Sequence, residues 1–155
     1  MTWFRVDNRL IHGQIIEGWL PYLNASELIV GNDALAEDLL QQEIMLLAVP
    51  SRILVRFIPL SRSRKTLEHL NCSGGNGLFL FSNCQDAARI VAEQGVRIPL
   101  LNIGNLHYAK GKEQLAPHVA VSENDKKSMR FLIDSGTTFD FRSVPGDDYI
   151  SVEGW

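Results

Sequence analysis

Residues Thr2-Trp3-Phe4-Arg5-Val6-Asp7-Asn8-Arg9-Leu10-Ile11-His12-Gly13-Gln14 pass from a run of aromatic and β-branched types into a polar turn, and Ile15, Ile16, Trp19 and Leu20 then recur at helical spacing. A strand that hands over to a helix in so short a turn is the opening of a βα unit. His12 stands at the joint, between Arg9 and Gly13. The first turn of a helix carries backbone N–H groups without internal partners and the positive end of the helix dipole. An anion or a phosphoryl group on His12 would be stabilised there.

Outward from this stretch the same alternation continues. Short apolar runs predict strands over Trp3 to Val6, Leu28 to Val30, Ile53 to Ile58, Gly77 to Phe81, Pro99 to Ile103, His118 to Val121 and Thr138 to Val144. Most are continuously apolar, as strands buried on both faces of a parallel sheet must be. Amphipathic patterns between them predict helices over Gln14 to Tyr22, Ala34 to Ala48, Ser63 to His69, Gln85 to Gln94 and Ser122 to Ser135. Pro50, Pro59, the Ser73 to Gly77 run, Gly95, Pro99 and Gly136 fall where elements should stop. The expected fold is α/β, with helices covering both faces of a mainly parallel sheet.

With 155 residues, 45% of them apolar, the chain suits one domain over 1–155 with a substantial core. A net charge of −3 gives no general electrostatic reason to bind nucleic acid or an anionic membrane. Cys72 and Cys84 lack any CxxC or Cys/His ligand spacing, so a reducing compartment is expected and a zinc site is not. The start of the chain lacks the apolar core of a signal peptide, and no stretch approaches the roughly 20 apolar residues of a membrane span. The expected location is the cytoplasm. No GxSxG elbow, P-loop, GxGxxG fingerprint or HExxH pair is present, which removes support for hydrolase, nucleotide and zinc chemistry. No metal or cofactor is expected.

In an open parallel sheet, ligands gather at the carboxyl ends of the strands, which selects four loops. They carry Asp7, Asn8, Arg9 and His12; Asn32 and Asp33; Ser82 and Asn83; and Asn102, Gly104, Asn105 and His107. Imidazole can be neutral and nucleophilic near pH 7, and phosphorylation at nitrogen yields a carrier able to donate onward. His12 is the candidate acceptor, although a histidine in this place can also simply cap a helix. Arg9 is the candidate charge partner for a phosphate, while Arg5, so close to the strand, suits a structural ion pair equally well. Asp7 either orients the imidazole through its other ring nitrogen or caps the next helix. Gly104 permits close backbone approach, and His107 beside it is either a ligand contact or a turn histidine.

The segment Arg5-Val6-Asp7-Asn8-Arg9-Leu10-Ile11-His12-Gly13-Gln14 resembles the active-site motif R-[IV]-D-D-R-L-I-H-G-Q-V of the enzyme IIB components of the mannose/fructose/sorbose class of the bacterial sugar phosphotransferase system. The likeness extends to Ile29 to Asp33, Asn102 to Tyr108, Gly111 to Leu115 and Val144-Pro145. It implies a three-layer α/β/α sandwich and a cytoplasmic phosphocarrier. His12 would accept phosphate, at Nδ1, from a phosphohistidine on a IIA partner and pass it to a sugar presented by the membrane IIC and IID components. Arg5 and Arg9 fall on the motif's arginines. Gly13, Gln14, Asn32, Asp33, Asn102, Gly104 and His107 would line the phosphate site, and a homodimer is compatible with the pattern. Asn8 stands where the motif has aspartate, and Asn105 replaces the second glycine of the family's N-[VI]-G-G-[ML]-H loop. These two departures motivate an alternative, a regulatory IIB-like module that does not take part in transport.

Overall fold

A computed structural model describes residues 1–150; the closing segment with Trp155 lies outside the described residues. Six parallel strands form the central sheet in the order β3-β2-β4-β1-β5-β8: β1 (Thr2–Asp7), β2 (Glu27–Gly31), β3 (Leu54–Ile58), β4 (Gly77–Phe81), β5 (Leu100–Asn105) and β8 (Thr138–Asp140). The helices are α1 (Leu20–Tyr22), α2 (Asp33–Ala36), α3 (Leu39–Leu46), α4 (Ser63–Ser73), α5 (Cys84–Gln94) and α6 (Glu123–Asp134). A wider π-helical segment, Gln14–Trp19, leads into α1.

Alternation along each strand divides the core in two. Leu28, Val30, Leu78 and Leu80 point to one face and pack with Ile15, Trp19, Leu20 and Leu35. Phe4, Val6, Ile29, Phe79 and Phe81 point to the other and pack with Leu67, Leu70, Ile90, Met129 and Leu132 from α4, α5 and α6. The result is the three-layer α/β/α sandwich with a parallel sheet. Burying one Leu- or Phe-sized side chain stabilises by about 1.5–3 kcal/mol, so the two apolar layers supply the main driving force.

Three expectations need correction. The apolar run at 118–121 does not join the main sheet: β7 (Val119–Val121) pairs antiparallel with β6 (Glu113–Ala116), and only a single bridge, Val119 to Leu106, ties it to the end of β5. A continuously apolar triplet reads alike in either setting, and the polar sequence of β6 gave no signal. The helix expected over 34–48 is broken at Glu37 and Asp38, because the Asp38 side chain accepts from Gln41 N and starts α3 afresh. The last strand stops at Asp140 rather than reaching Val144, because residues 141–144 turn back toward β1 and the π-helical segment. The capping serine of the last helix is as expected: Ser122 and Asp125 form a reciprocal capping box.

From β1 the chain leaves toward β2 across one face, and from β5 it leaves toward β8 across the other. The neighbouring carboxyl ends of β1 and β5 therefore form a switch point, where loops diverge and leave a crevice. The 8–14 segment and the 102–107 segment meet there.

Candidate active site

Asp7, the last residue of β1, is completely buried and serves two arginines and an imidazole at once. Its Oδ2 accepts from Arg5 Nη2 at 2.9 Å and lies 2.8 Å from His12 Nε2. Its Oδ1 accepts from the backbone N of Arg9 at 3.0 Å and from Arg9 Nε at 3.3 Å. Burial by itself would push this carboxyl up. The hydrogen bond with His12, the Arg5 charge and the Arg9 N–H outweigh it together and hold the group at about 2. Asp7 is thus an ionised, acceptor-only group near neutral pH, and the proton of the neutral imidazole belongs on Nε2.

Nδ1 of His12 is left with a lone pair, toward which the backbone N–H of Gln14 donates at 3.3 Å. The chain reaches this arrangement through a tight turn in which Leu10 N donates to Asp7 O at 3.0 Å and Leu10 adopts φ 59°. Left-handed backbone costs a residue with a Cβ about 1–2 kcal/mol, and burial of the Leu10 side chain offsets it. His12 itself is partly open, its side chain 16% exposed, and Arg9 is about a third exposed at 35%. Gly13 is exposed in the following turn, where an added Cβ would meet nothing. The Gln14 side chain accepts from Arg9 Nη2 at 2.8 Å, so Arg9 is held between Asp7 and Gln14, the two residues that also bond the imidazole.

Arg5 resolves as a structural cation, only 1% exposed. It donates to Asp7, to Asn102 Oδ1 and to the carbonyl of Arg142, and it lies 5.2 Å from the centre of the Trp19 ring. Burial lowers its pKa and Asp7 works against that shift. Register explains the placement: Arg5 faces Asn102 across the β1–β5 pair, and an irregularity beyond Val6 inserts Gly104 as an extra residue of β5. A Cβ on Gly104 would come within 1.9 Å of Arg5 Cζ, so only glycine leaves room for the guanidinium.

Asn8 and Asn105 are bonded to one another, Asn105 Nδ2 donating to Asn8 Oδ1 at 2.7 Å. Asn105 Nδ2 also lies 3.4 Å from His107 Nδ1, which brings the exposed His107 to the same rim. Asn32 and Asp33 are engaged elsewhere. Asn32 caps α2 through Leu35 N and donates to Ser82, while Asp33 accepts from Leu60 N and Arg89. None of their hydrogen bonds reaches Asp7, Arg9, His12 or Gln14. Neither thiol competes as a nucleophile of this crevice: Cys84 is buried in the core, where desolvation pushes its pKa far up, and Cys72 sits on α4. Among the described residues no group of three His, Cys, Asp or Glu side chains is arranged to hold a metal ion, and no helix is long and apolar enough to cross a membrane.

Sequence reading missed the segment after β8. Asn102 Nδ2 donates to the carbonyls of Asp140 and Arg142, Trp19 Nε1 donates to Ser143 O at 2.9 Å, and Ser143 Oγ donates to Gln14 Oε1 at 3.4 Å. Arg142 pairs with Asp140 and covers the Trp19 ring at 5.6 Å. The segment backs the Arg5 cage from behind. Its polar residues carry no local pattern, and only the Val144-Pro145 likeness pointed nearby.

Over 151 residues the chain is 29% identical to the PTS system fructose-specific EIIB component of Bacillus subtilis, covering 96% of this chain and 92% of that one. It is 29% identical over 148 residues to the PTS system mannose-specific EIIAB component of Escherichia coli K12, of which it spans 46%. The crystal structure of the IIBSor domain of the sorbose permease from Klebsiella pneumoniae superposes with a TM-score of 0.85 at 30% identity, covering 96% of this chain and 90% of that one. The model of the PTS system sorbose subfamily IIB component matches residues 1–154, which takes in every strand of the sheet and the whole Asp7–His12 cluster, and the chain belongs to that family.

Proposed function

We propose that the chain is a single cytoplasmic IIB phosphocarrier whose acceptor is Nδ1 of His12. The observation that carries this reading is the pairing of His12 Nε2 with an ionised, fully buried Asp7, which leaves Nδ1, met only by the Gln14 backbone N–H at 3.3 Å, as the acceptor nitrogen of a partly exposed ring. In an in-line transfer from a phosphohistidine of a IIA domain, Nδ1 forms the new N–P bond while the donor nitrogen takes back the electron pair of the old one. His12 then becomes a phosphorylated imidazolium, and its positive charge is balanced by Asp7. Phosphoryl transfer needs positioning and charge stabilisation more than covalent help, which Arg9 and the N–H groups of the Gly13–Gln14 turn supply. Arg5, Asn102 and Gly104 position Asp7 from beneath, and His107 extends the rim by which a donor or acceptor would approach.

The phosphate then passes to a sugar held by membrane IIC and IID components. An acceptor in a partly open rim suits both exchanges, since each partner must bring its own phosphorus or hydroxyl to Nδ1. The fusion named EIIAB among the relatives supports a IIA domain as donor. A purely regulatory module is less well supported, because Asn8 and Asn105 satisfy each other and leave the Asp7, Arg9 and Gln14 contacts of the site intact.

The test is incubation with phosphoenolpyruvate, enzyme I, HPr and a IIA domain, followed by assay for an acid-labile, base-stable phosphate. It is expected on the wild-type chain and absent from His12→Ala. Label retained in His12→Ala, or no label on the wild type with a donor that phosphorylates a known IIB, defeats the proposal.

A further inference from the structure

Helix α3 buries nothing completely. Of its apolar side chains only Met45 packs partly against the core, while Leu39, Leu40, Ile44 and Leu46 are exposed, together with Leu47 just beyond at 87%. Leu40, Ile44 and Leu47 stand at i, i+4 and i+7, the spacing of a seam made for another helix, and Leu39 and Leu46 flank them. An eight-residue helix is too short to stand on its own propensity, so an apolar stripe left in water costs without return.

From these observations we infer that α3 is the contact face of a homodimer, packing antiparallel against α3 of a second copy. Charge selects the occupant. Exposed Glu37 and Asp38 mark the start of α3, and exposed Arg52 follows its end; neither Glu37 nor Arg52 has an ion pair among the described residues. A two-fold axis that reverses the helices sets Leu40 against Leu47 of the other copy and brings the acidic start to the other copy's Arg52 end. That arrangement is self-complementary, as a two-fold contact must be. A lipid surface fits less well, since Glu37, Asp38 and Glu43 would meet anionic headgroups.

The inference stands apart from the phosphocarrier reading, because association can be measured without any phosphoryl donor. Sedimentation equilibrium of the full chain across the micromolar range should show a monomer–dimer equilibrium. Leu40→Glu and Ile44→Glu should each raise the dimer dissociation constant at least ~10-fold with an unchanged far-ultraviolet circular dichroism spectrum. Arg52→Glu and Glu37→Arg should each weaken association several-fold, and the double variant should recover most of it. A chain that stays monomeric throughout, a dimer indifferent to Leu40→Glu, failure of the charge reversal to recover, or co-sedimentation of a monomer with phosphatidylcholine vesicles would each overturn the assignment.

Discussion

Asn105 donates to Asn8 from its side chain at 2.7 Å, and the backbone N of Asn8 donates to the carbonyl of Asn105 at 3.2 Å, so the loops after β1 and β5 are joined twice at one place. The two positions at which the chain departs from the family motif are partners, and each departure makes sense of the other. A glycine at 105 would leave Asn8 without its donor. Asn8→Ala and Asn105→Ala should each lower stability by about 1 kcal/mol, and the double variant should cost about 1 kcal/mol less than their sum. Urea unfolding of the four proteins measures the coupling; strict additivity would show that the bond contributes nothing.

Acid should act through Asp7. Its folded pKa of about 2 lies below the ordinary aspartate value, so the native state holds the ionised form and the unfolded state takes the proton first. The resulting stabilisation, about 2 kcal/mol, is present in full above about pH 5 and is lost as pH falls through 4 toward 2. Asp7→Asn should be destabilised by about 3 kcal/mol or more at pH 7, because Arg5 stays buried without its counter-charge. That variant should also lose less stability than wild type between pH 6 and pH 3, which denaturant midpoints at the two pH values compare directly.

Gly104 lies against the Arg5 guanidinium with no room for a methyl group. Arg5 is fixed by Asp7, Asn102 and Trp19 and is not a free end that can swing aside. Gly104→Ala should therefore cost about 2–3 kcal/mol by overpacking and lower the thermal midpoint by several degrees. Because the displaced group carries Asp7, His12 phosphorylation should slow in parallel. Wild-type melting and wild-type phosphorylation in this variant would count against the packing described.

Gln14→Glu isolates charge from shape. The carboxylate would keep the contact with Arg9 but tie up its charge and repel an incoming phosphoryl group. Phosphorylation of His12 should slow by about 10-fold or more while stability changes by less than about 1 kcal/mol. Rapid-quench kinetics with a phosphorylated IIA donor reads the first, and thermal unfolding the second. An unchanged rate would remove Arg9 from the transfer step.

Much of this molecule was legible from local pattern. Phe4, Val6, Leu28 to Val30 and Leu78 to Phe81 are apolar at every position because both faces of a central parallel strand are covered, and Ser122 caps a helix where a short polar residue precedes an amphipathic run. Local pattern failed where tertiary context decided. Val119 to Val121 could not reveal an antiparallel partner as polar as Glu113 to Ala116, and Asp38 breaks a helix whose leucines continue the periodicity on both sides. Asn32 and Asp33 lie in a loop of the right kind, yet capping and the Leu60 N–H occupy them.

The sequence by itself determined the alternation of main-sheet strands with helices, the position of His12 in the turn after the first strand, and the motif that names the family. Those are statements about neighbours in the chain, set by periodicity, turn chemistry and residue type. Only the tertiary structure decided which polar groups meet. Arg5 and Asn102, and Asn8 and Asn105, are 97 residues apart and touch because β1 and β5 run side by side with one extra residue at Gly104. Whether Asp7 capped a helix or held an imidazole was likewise undecidable locally. Its carboxylate turns to His12 because Arg5, pinned beneath it by Asn102 and Trp19, stabilises a buried negative charge at that one spot.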